Sequence, residues 1–185
     1  MKRLLFIASV ILLMAGCGAP KTEAEKFADD LLAKMTLREK LGQMSQFRPR
    51  SGVVTGPEGF TYDLEEMIKA GEVGSILSLR ELEYFEIYQR LAVDSSRLGI
   101  PILFGMDVIH GYETIFPIPL GLSCSWDMAA VELSARVAAE EASADGICWT
   151  FSPMVDVSRD PRWGRVSEGS GEDTYLGCRI AEAMV

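Results

Sequence analysis

Apolar and polar positions follow two periods along the chain, and the change of period separates strands from helices. Short continuous apolar runs predict buried strands, whereas longer segments with apolar residues three or four positions apart predict helices. The predicted strands cover residues 73–78, 100–106 and 147–155, and the predicted helices cover residues 81–97, 127–145 and 172 onward. Continuous apolar strands separated by helices indicate an α/β fold with a parallel sheet buried on both faces. The pattern alone does not separate a closed barrel from an open doubly wound sheet.

The region before the first of these strands has helical periodicity. Residues 24–47 are predicted to be mostly helical. A second helix is expected to begin at Thr36 and to continue through Phe47, because Thr36 and Glu39 have the spacing of a capping box. We expect this helix pair to lie outside the core. The Gly- and Pro-rich residues 49–60 predict a loop.

The N-terminal residues have the pattern of a secretion signal. A short basic start precedes an apolar run at residues 4–14, which is too short for a bilayer span of about 20 residues. The Met-Ala-Gly-Cys sequence that ends at Cys17 resembles a bacterial lipobox, although Met14 stands where Leu is usual. We therefore expect a lipoprotein signal peptide at residues 1–17, a lipid on Cys17 and a tether at residues 18–23. The alternative is an ordinary cleaved signal peptide without lipid; in either case the protein is exported, and the lipid would anchor it in the periplasm or at the outer membrane.

Composition limits the partners of the chain. Its 27 acidic and 18 basic residues give a formal net charge of -9, which argues against nucleic acid because phosphates require a basic surface. Neutral sugars remain possible ligands. Three cysteines follow the lipobox, so at most one disulfide can form among Cys124, Cys148 and Cys178. Their spacing does not assign the pair.

The length of the chain limits the architecture. Residues 24–185 are fewer than the about 250 residues of a complete (β/α)8 barrel. The chain stops inside a predicted helix, at residues 179–185, without a C-cap signal. We therefore expect these residues to be the N-terminal part of a larger protein.

Two polar segments follow predicted strands. Asp107 comes directly after the strand at residues 100–106, and the VDVSRDPRWGR segment occupies residues 155–165. The carboxyl ends of parallel strands form the ligand-binding edge of α/β folds. A carboxylate, planar arginine forks and an aromatic face together suit a polyhydroxylated ligand. An Asp that merely caps the turn after its strand is the structural alternative.

These segments resemble glycoside hydrolase family 3, the β-glucosidase type. The matching motifs are GMDVIHG at residues 105–111, RDPRWGR at residues 159–165 and SEGSGED at residues 167–173. The resemblance implies a partial (β/α)8 barrel, with residues 24–185 forming its N-terminal half. It also implies that Asp107 and Arg165 hold the terminal, non-reducing sugar.

Three further residues of these motifs are expected to support the sugar contacts. Arg162 is expected to shape the loop by bonding carboxylates such as Asp160. Trp163 either stacks on a sugar or packs in the core, and the core position is favoured. His110 is the only histidine, and it is either a ring donor near the sugar or a satisfied side chain that fixes the loop. The second interpretation is favoured.

The resemblance implies retaining hydrolysis of β-glucosides, in which one carboxylate attacks and a second acts as acid and base. The family's Lys-His pair and its Ser-Asp-Trp-like segment with the nucleophile do not occur in this sequence. We therefore expect sugar binding but no catalysis from these residues alone. No cofactor or metal is expected, since a single histidine with scattered carboxylates falls short of a zinc ligand set. A Ser-His-Asp hydrolase is disfavoured because a Gly-x-Ser-x-Gly elbow is lacking.

Three alternatives accompany this hypothesis. A β-xylosidase of the same family stays open, because its hydroxyl contacts differ only in detail. A β-N-acetylhexosaminidase is disfavoured, because that branch usually carries an Asp-Gln-Glu-Gly-Gly type segment where this chain has residues 106–110. A non-enzymatic glycan-binding lipoprotein would need no nucleophile. It is disfavoured because half a barrel exposes apolar strand edges to water.

Overall fold

The computed structural model describes residues 20–49 and 63–185, which fall into two units. The first unit ends at Leu37, and its described part contains the helix α1 (Glu23–Lys34). A capping box begins this helix: Thr22 Oγ1 accepts from the amide of Glu25, and the Glu25 carboxylate accepts from the amide of Thr22 at 2.7 Å. The predicted signal peptide and Cys17 lie outside the described residues.

The second unit, residues 38–185, is built on four parallel strands. They are β1 (Gln46–Phe47), β2 (Ser75–Leu77), β3 (Leu103–Met106) and β4 (Trp149–Thr150). Ser75 of β2 pairs with Leu103 of β3, and Gly105 of β3 pairs with Trp149 of β4. The predicted α/β class with a parallel sheet is confirmed.

The order of the strands separates the two architectures that the sequence pattern left open. The sheet runs β1-β2-β3-β4, so each new strand adds to the same edge. In a doubly wound sheet the order reverses at a switch point, whereas consecutive barrel strands are sequential neighbours. The described strands therefore form an open sheet in the order expected of the first half of a barrel.

Helices precede, connect and follow these strands. In chain order they are α2 (Leu37–Gln43), α3 (Leu64–Lys69), α4 (Leu82–Arg90), α5 (Pro119–Ser123), α6 (Met128–Ala144) and α7 (Thr174–Met184). A π-helical turn at Leu91–Ser95 continues α4, and a 3-10 helix spans Val166–Glu168. Asp127 caps α6, accepting a hydrogen bond from the amide of Ala130 at 3.1 Å. The three helices predicted after residue 80 are confirmed, with ends within about two residues when the π-helical turn is counted as the end of α4.

The core lies between the sheet and the helices α3 and α4. Ile68 of α3 and Ile76 of β2 are almost fully buried. Phe85 of α4 packs against Phe104 of β3, with ring centroids 4.6 Å apart. Burial of each such side chain contributes roughly 1.5–3 kcal/mol. By contrast, Leu103, whose side chain alternates with that of Phe104 along β3, is 52% exposed.

Two predicted elements differ from the structure. The second helix begins at Leu37 but ends at Gln43, because residues 46–47 instead pair with β2 as the edge strand β1. The strand predicted at residues 147–155 pairs only over Trp149–Thr150, and the chain beyond it forms the connection toward the 3-10 helix. The short helix α5 was not predicted.

Three remaining expectations concern the cysteines, the loop and the membrane. Cys124, Cys148 and Cys178 are all free, so none of the described cysteines forms a disulfide. The loop predicted at residues 49–60 lies outside the described residues apart from Pro49. In the described ranges, each helix is too short or too polar to cross a membrane.

Candidate functional site

A cavity of about 440 Å³ lies at the carboxyl ends of β2 and β3. Arg80 reaches it from the connection after β2, Asp107 and His110 from the connection after β3, and Glu168 from the 3-10 helix. The fold therefore brings the motif at residues 105–111 together with the start of the SEGSGED motif. Charged and polar groups around a recess of this size suit a small polar ligand.

Asp107 is presented by the end of β3. The amide of Phe151 donates to the Met106 carbonyl at 3.3 Å, and Thr150 Oγ1 donates to the Asp107 carbonyl at 3.2 Å. The last residue of β4 and the residue after it thus fix the backbone here. Among the described residues none donates to the exposed Asp107 carboxylate. The alternative of an Asp that caps its own turn is therefore not supported, and the carboxylate remains available to a ligand.

The chain after Asp107 makes a compact turn. Val108 has a φ of 45°, a rare conformation for a β-branched residue. Gly111 has a φ of 106°, and a Cβ there would lie 1.9 Å from the Thr114 carbonyl oxygen, so only glycine fits. The Phe116 amide donates to the His110 carbonyl at 2.8 Å. This turn places His110 at the cavity.

The imidazole of His110 is exposed and forms no hydrogen bond with the described part of the chain. The favoured interpretation, a satisfied side chain that fixes the loop, therefore finds no support among the described residues. The backbone carbonyl of His110 makes the fixing bond instead, through the amide of Phe116. The ring remains free to donate into the cavity that it lines.

Tyr112 ties the same loop to the end of α6. Its hydroxyl donates to the Asp145 carboxylate at 2.8 Å. Burial and then the hydrogen bond to Asp145 are the main causes that raise the pKa of Tyr112 to about 12, and Arg80 opposes the shift. Tyr112 is therefore a neutral donor at any physiological pH.

Arg165 is held beside the cavity by Glu168. Its Nε and Nη2 atoms both donate to Glu168 Oε2, at 3.0 and 2.5 Å. The hydrogen bond with Glu168 raises the pKa of Arg165, and the charges of Asp156 and Asp107 add to it. The same bond lowers the pKa of Glu168. Arg165 is thus within electrostatic reach of Asp107. The Arg165 guanidinium and the Glu168 carboxylate are both charged at neutral pH.

Arg162, Trp163 and Arg165 are not among the residues that line this cavity, although Glu168, the partner of Arg165, is. Arg162 forms a two-point ion pair with Asp160, Nε to Oδ1 at 2.9 Å and Nη2 to Oδ2 at 2.6 Å, as expected of a residue that shapes the loop. Trp163 is 37% exposed, so the described residues do not bury its indole in their core.

Sequence reasoning missed Arg80 and Glu168 as residues of this cavity. Arg80 follows the strand predicted at residues 73–78 by two positions, so its place at a strand's carboxyl end was the available signal. Glu168 lies three residues after Arg165, a spacing that aligns side chains on a 3-10 turn. Within residues 20–49 and 63–185, no three His, Cys, Asp or Glu side chains are grouped closely enough to hold a metal ion.

A parallel sheet in barrel order with a polar cavity at its carboxyl edge is the arrangement of an α/β barrel enzyme domain. Residues 36–185 match the description "Glycosyl hydrolase family 3 N terminal domain". The chain is 47% identical over 161 residues to a periplasmic beta-glucosidase of Salmonella typhimurium, covering 87% of this chain and 20% of that protein. It is 32% identical to a periplasmic beta-glucosidase/beta-xylosidase of Dickeya chrysanthemi, covering 88% of this chain and 28% of that protein.

A solved structure gives the same result. The beta-glucosidase from Listeria innocua in complex with isofagomine superposes with a TM-score of 0.76 at 43% identity, covering 87% of this chain and 22% of that one. The chain belongs to glycoside hydrolase family 3, and residues 36–185 are its N-terminal domain. It spans about a fifth to just over a quarter of the length of these relatives.

Proposed function

We propose that this chain supplies part of the sugar-binding site of an enzyme that hydrolyses terminal, non-reducing β-D-glucosyl residues with retention of configuration. The observation that carries the proposal is the position of Asp107, whose exposed carboxylate lines the cavity at the carboxyl end of β3 and bonds none of the residues that the structure describes. The names of the Salmonella and Listeria relatives support β-glucosides as substrates.

In this proposal Asp107 accepts hydrogen bonds from sugar hydroxyls, and Arg165 donates a hydrogen bond to a sugar oxygen. The Asp107 carboxylate accepts hydrogen bonds from two neighbouring hydroxyls, and its charge makes these bonds stronger than neutral ones. Arg165 donates hydrogen bonds to Glu168 from Nε and Nη2, so Nη1 can donate to a sugar oxygen. Glu168 orients the guanidinium and is not assigned a role in bond cleavage.

The bond-breaking groups lie outside this chain in our proposal. Retaining hydrolysis needs a carboxylate nucleophile and a second carboxylate acting as acid and base, about 5 Å apart. Their segments are expected in the rest of the enzyme, since the chain covers only 22% of the Listeria protein. The contribution of this chain is to bind and orient the sugar that reacts.

A β-xylosidase activity is the second candidate, favoured by the double name of the Dickeya relative. A xyloside lacks only the hydroxymethyl group of a glucoside, so the contacts at Asp107 would serve both sugars. Comparison of kcat/KM for p-nitrophenyl β-D-glucoside and β-D-xyloside decides between them.

We also propose that the protein is exported and held at a membrane by a lipid on Cys17. The periplasmic location named for the Salmonella and Dickeya relatives supports export. The lipobox-like sequence that ends at Cys17 supports the anchor.

Substitution of Asp107 in the full-length gene product tests the sugar site. Asp107→Ala is expected to lower kcat/KM for p-nitrophenyl β-D-glucoside by roughly 100-fold, because loss of charged hydrogen bonds costs about 1.5–3 kcal/mol. Asp94→Asn, on the exposed π-helical turn, is the matched control and should behave as wild type. An Asp107→Ala protein that folds normally and keeps its kcat/KM would contradict the assignment.

A further inference from the structure

The loop that carries the cavity residues after β3 is bonded to one carboxylate of α6. Glu141 Oε2 accepts from the backbone amides of Glu113 at 3.0 Å and Thr114 at 2.8 Å. Its other oxygen, Oε1, accepts from Thr114 Oγ1 at 2.6 Å. Three donors from two consecutive loop residues thus converge on one side chain. The hydrogen bonds from Thr114 lower the pKa of Glu141, so the acceptor stays ionised at neutral pH.

A second carboxylate one helical turn later bonds the same loop. Asp145, the C-cap residue directly after α6, accepts from the Tyr112 hydroxyl at 2.8 Å. Carboxylates near a helix C-terminus are disfavoured by the helix dipole. The helix itself therefore gains nothing from Glu141 and Asp145 at these positions. The hydrogen bonds that the two carboxylates accept from the loop offset this unfavourable interaction with the helix dipole.

The loop needs such anchors because its backbone starts in a strained conformation. Val108 has a φ of 45° immediately after Asp107. A β-branched residue stays in this region only where its surroundings fix it. The bonds to Glu141 hold the far side of the turn, at Glu113 and Thr114, whereas the end of β4 holds the near side at Asp107. Release of the far side would remove one of the two ends that hold Val108 in this conformation, and Asp107 and His110 lie on either side of Val108 in the chain.

We propose that Glu141 is a positioning residue for the sugar site: it holds the loop of residues 108–116 so that Asp107 and His110 face the bound sugar. The inference rests on the proposed function of Asp107. Glu141 lies on a helix behind the loop and is not among the residues that line the Asp107 cavity. Its effect reaches the sugar through the loop backbone alone.

The test compares three variants of the full-length gene product: Glu141→Ala, Glu141→Gln and the control Glu140→Ala. Glu140 is the exposed neighbour on α6 and makes no bond to the loop. Glu141→Ala is expected to lower kcat/KM for p-nitrophenyl β-D-glucoside by roughly 10- to 100-fold, the range that small misplacements of binding groups produce. Glu141→Gln should recover most of this loss, because an amide oxygen still accepts both loop amides.

Two readouts separate positioning from mere loss of folded protein. Positioning raises KM and the inhibition constant of D-glucose in Glu141→Ala, whereas a smaller folded fraction lowers only the apparent kcat. Amide hydrogen exchange at residues 113–116 should also be faster in Glu141→Ala than in Glu140→Ala, with the core strands unchanged.

The outcomes distinguish this inference from the proposed function. An active wild type whose Glu141→Ala variant keeps its kcat/KM and glucose inhibition constant would overturn the inference alone. A change confined to kcat in Glu141→Ala would do the same. A wild-type protein that neither cleaves β-glucosides nor binds glucose would overturn both proposals.

Discussion

At the scale of single residues, two similar ion pairs in one loop have different surroundings. Arg165 bonds Glu168, which lines the cavity, whereas Arg162 bonds Asp160 away from it. The hydrogen bond with Arg165 lowers the pKa of Glu168 in the folded protein. The ion pair therefore stabilises the fold fully at any pH above the ordinary pKa of a glutamate, and this stabilisation is lost as the pH falls through the lowered pKa. At neutral pH the orientation of Arg165 is therefore maintained.

The comparison gives a matched prediction. Glu168→Ala releases the Arg165 guanidinium from its fixed position and should lower kcat/KM for p-nitrophenyl β-D-glucoside by roughly tenfold. Asp160→Ala releases Arg162 and should change kcat/KM by less than about twofold. Steady-state kinetics of both variants measures the difference, and equal effects would contradict the distinct role of Arg165.

The sequence predicted some of these residues and could not predict others. Asp107 and Arg165 stand out because each lies in a dense motif that follows an apolar run. Glu141 lies in an ordinary amphipathic helix, where a surface glutamate carries no signal of its own. Its partners at Glu113 and Thr114 are backbone amides 28 and 27 positions away, and only the fold brings them together.

At the scale of elements, the approach of α2 to the start of β2 is close enough to exclude side chains. A Cβ at Gly42 would lie 2.4 Å from Glu72 Cα, and one at Gly74 would lie 2.1 Å from the carbonyl oxygen of Gln43. This close contact lies where the chain leaves α2 and continues to β1, next to β2. The strand β1 has two residues, too few for any periodicity, which explains why the sequence pattern extended the helix through it.

Gly42→Ala tests this contact, because two effects of opposite sign compete. Helix propensity favours Ala over Gly by about 1 kcal/mol, whereas overpacking against backbone costs typically 1–3 kcal/mol. We expect the clash to dominate and the melting temperature to fall. Gly121→Ala in α5 is the control, since its Cβ would meet Ile118 Cγ1 at an ordinary 3.7 Å. Calorimetry that finds both variants equally stable would contradict the close approach.

At the scale of the whole molecule, the apolar pattern established a parallel α/β sheet but not its strand order. Strand order depends on which edge each new strand joins, and local periodicity contains no such information. The motif resemblance supplied the barrel, and the sequential order of β1 to β4 agrees with it. The cavity combines connections after β2, β3 and β4, so no single segment could have indicated its full lining.

Membrane attachment is also a property of the whole protein. Expressed in a bacterial host, the wild-type protein is expected in the membrane fraction, because each buried CH₂ of an acyl chain contributes about 0.8 kcal/mol. Cys17→Ser should move it to the soluble exported fraction. Cys124→Ser, which removes an exposed free thiol, should leave it on the membrane. A wild-type protein already in the soluble fraction would contradict the anchor.

The bonds between the loop and α6 have a consequence for recombination between homologous genes. Residues 113–114 and Glu141 are separated along the chain but hydrogen-bonded in the fold, so a recombinant protein should take them from the same parent. A crossover between these positions would join the loop of one parent to the helix of another. Chimeric libraries should therefore keep residues 107–145 from a single parent, and breakpoints before β3 or after β4 should yield more functional progeny.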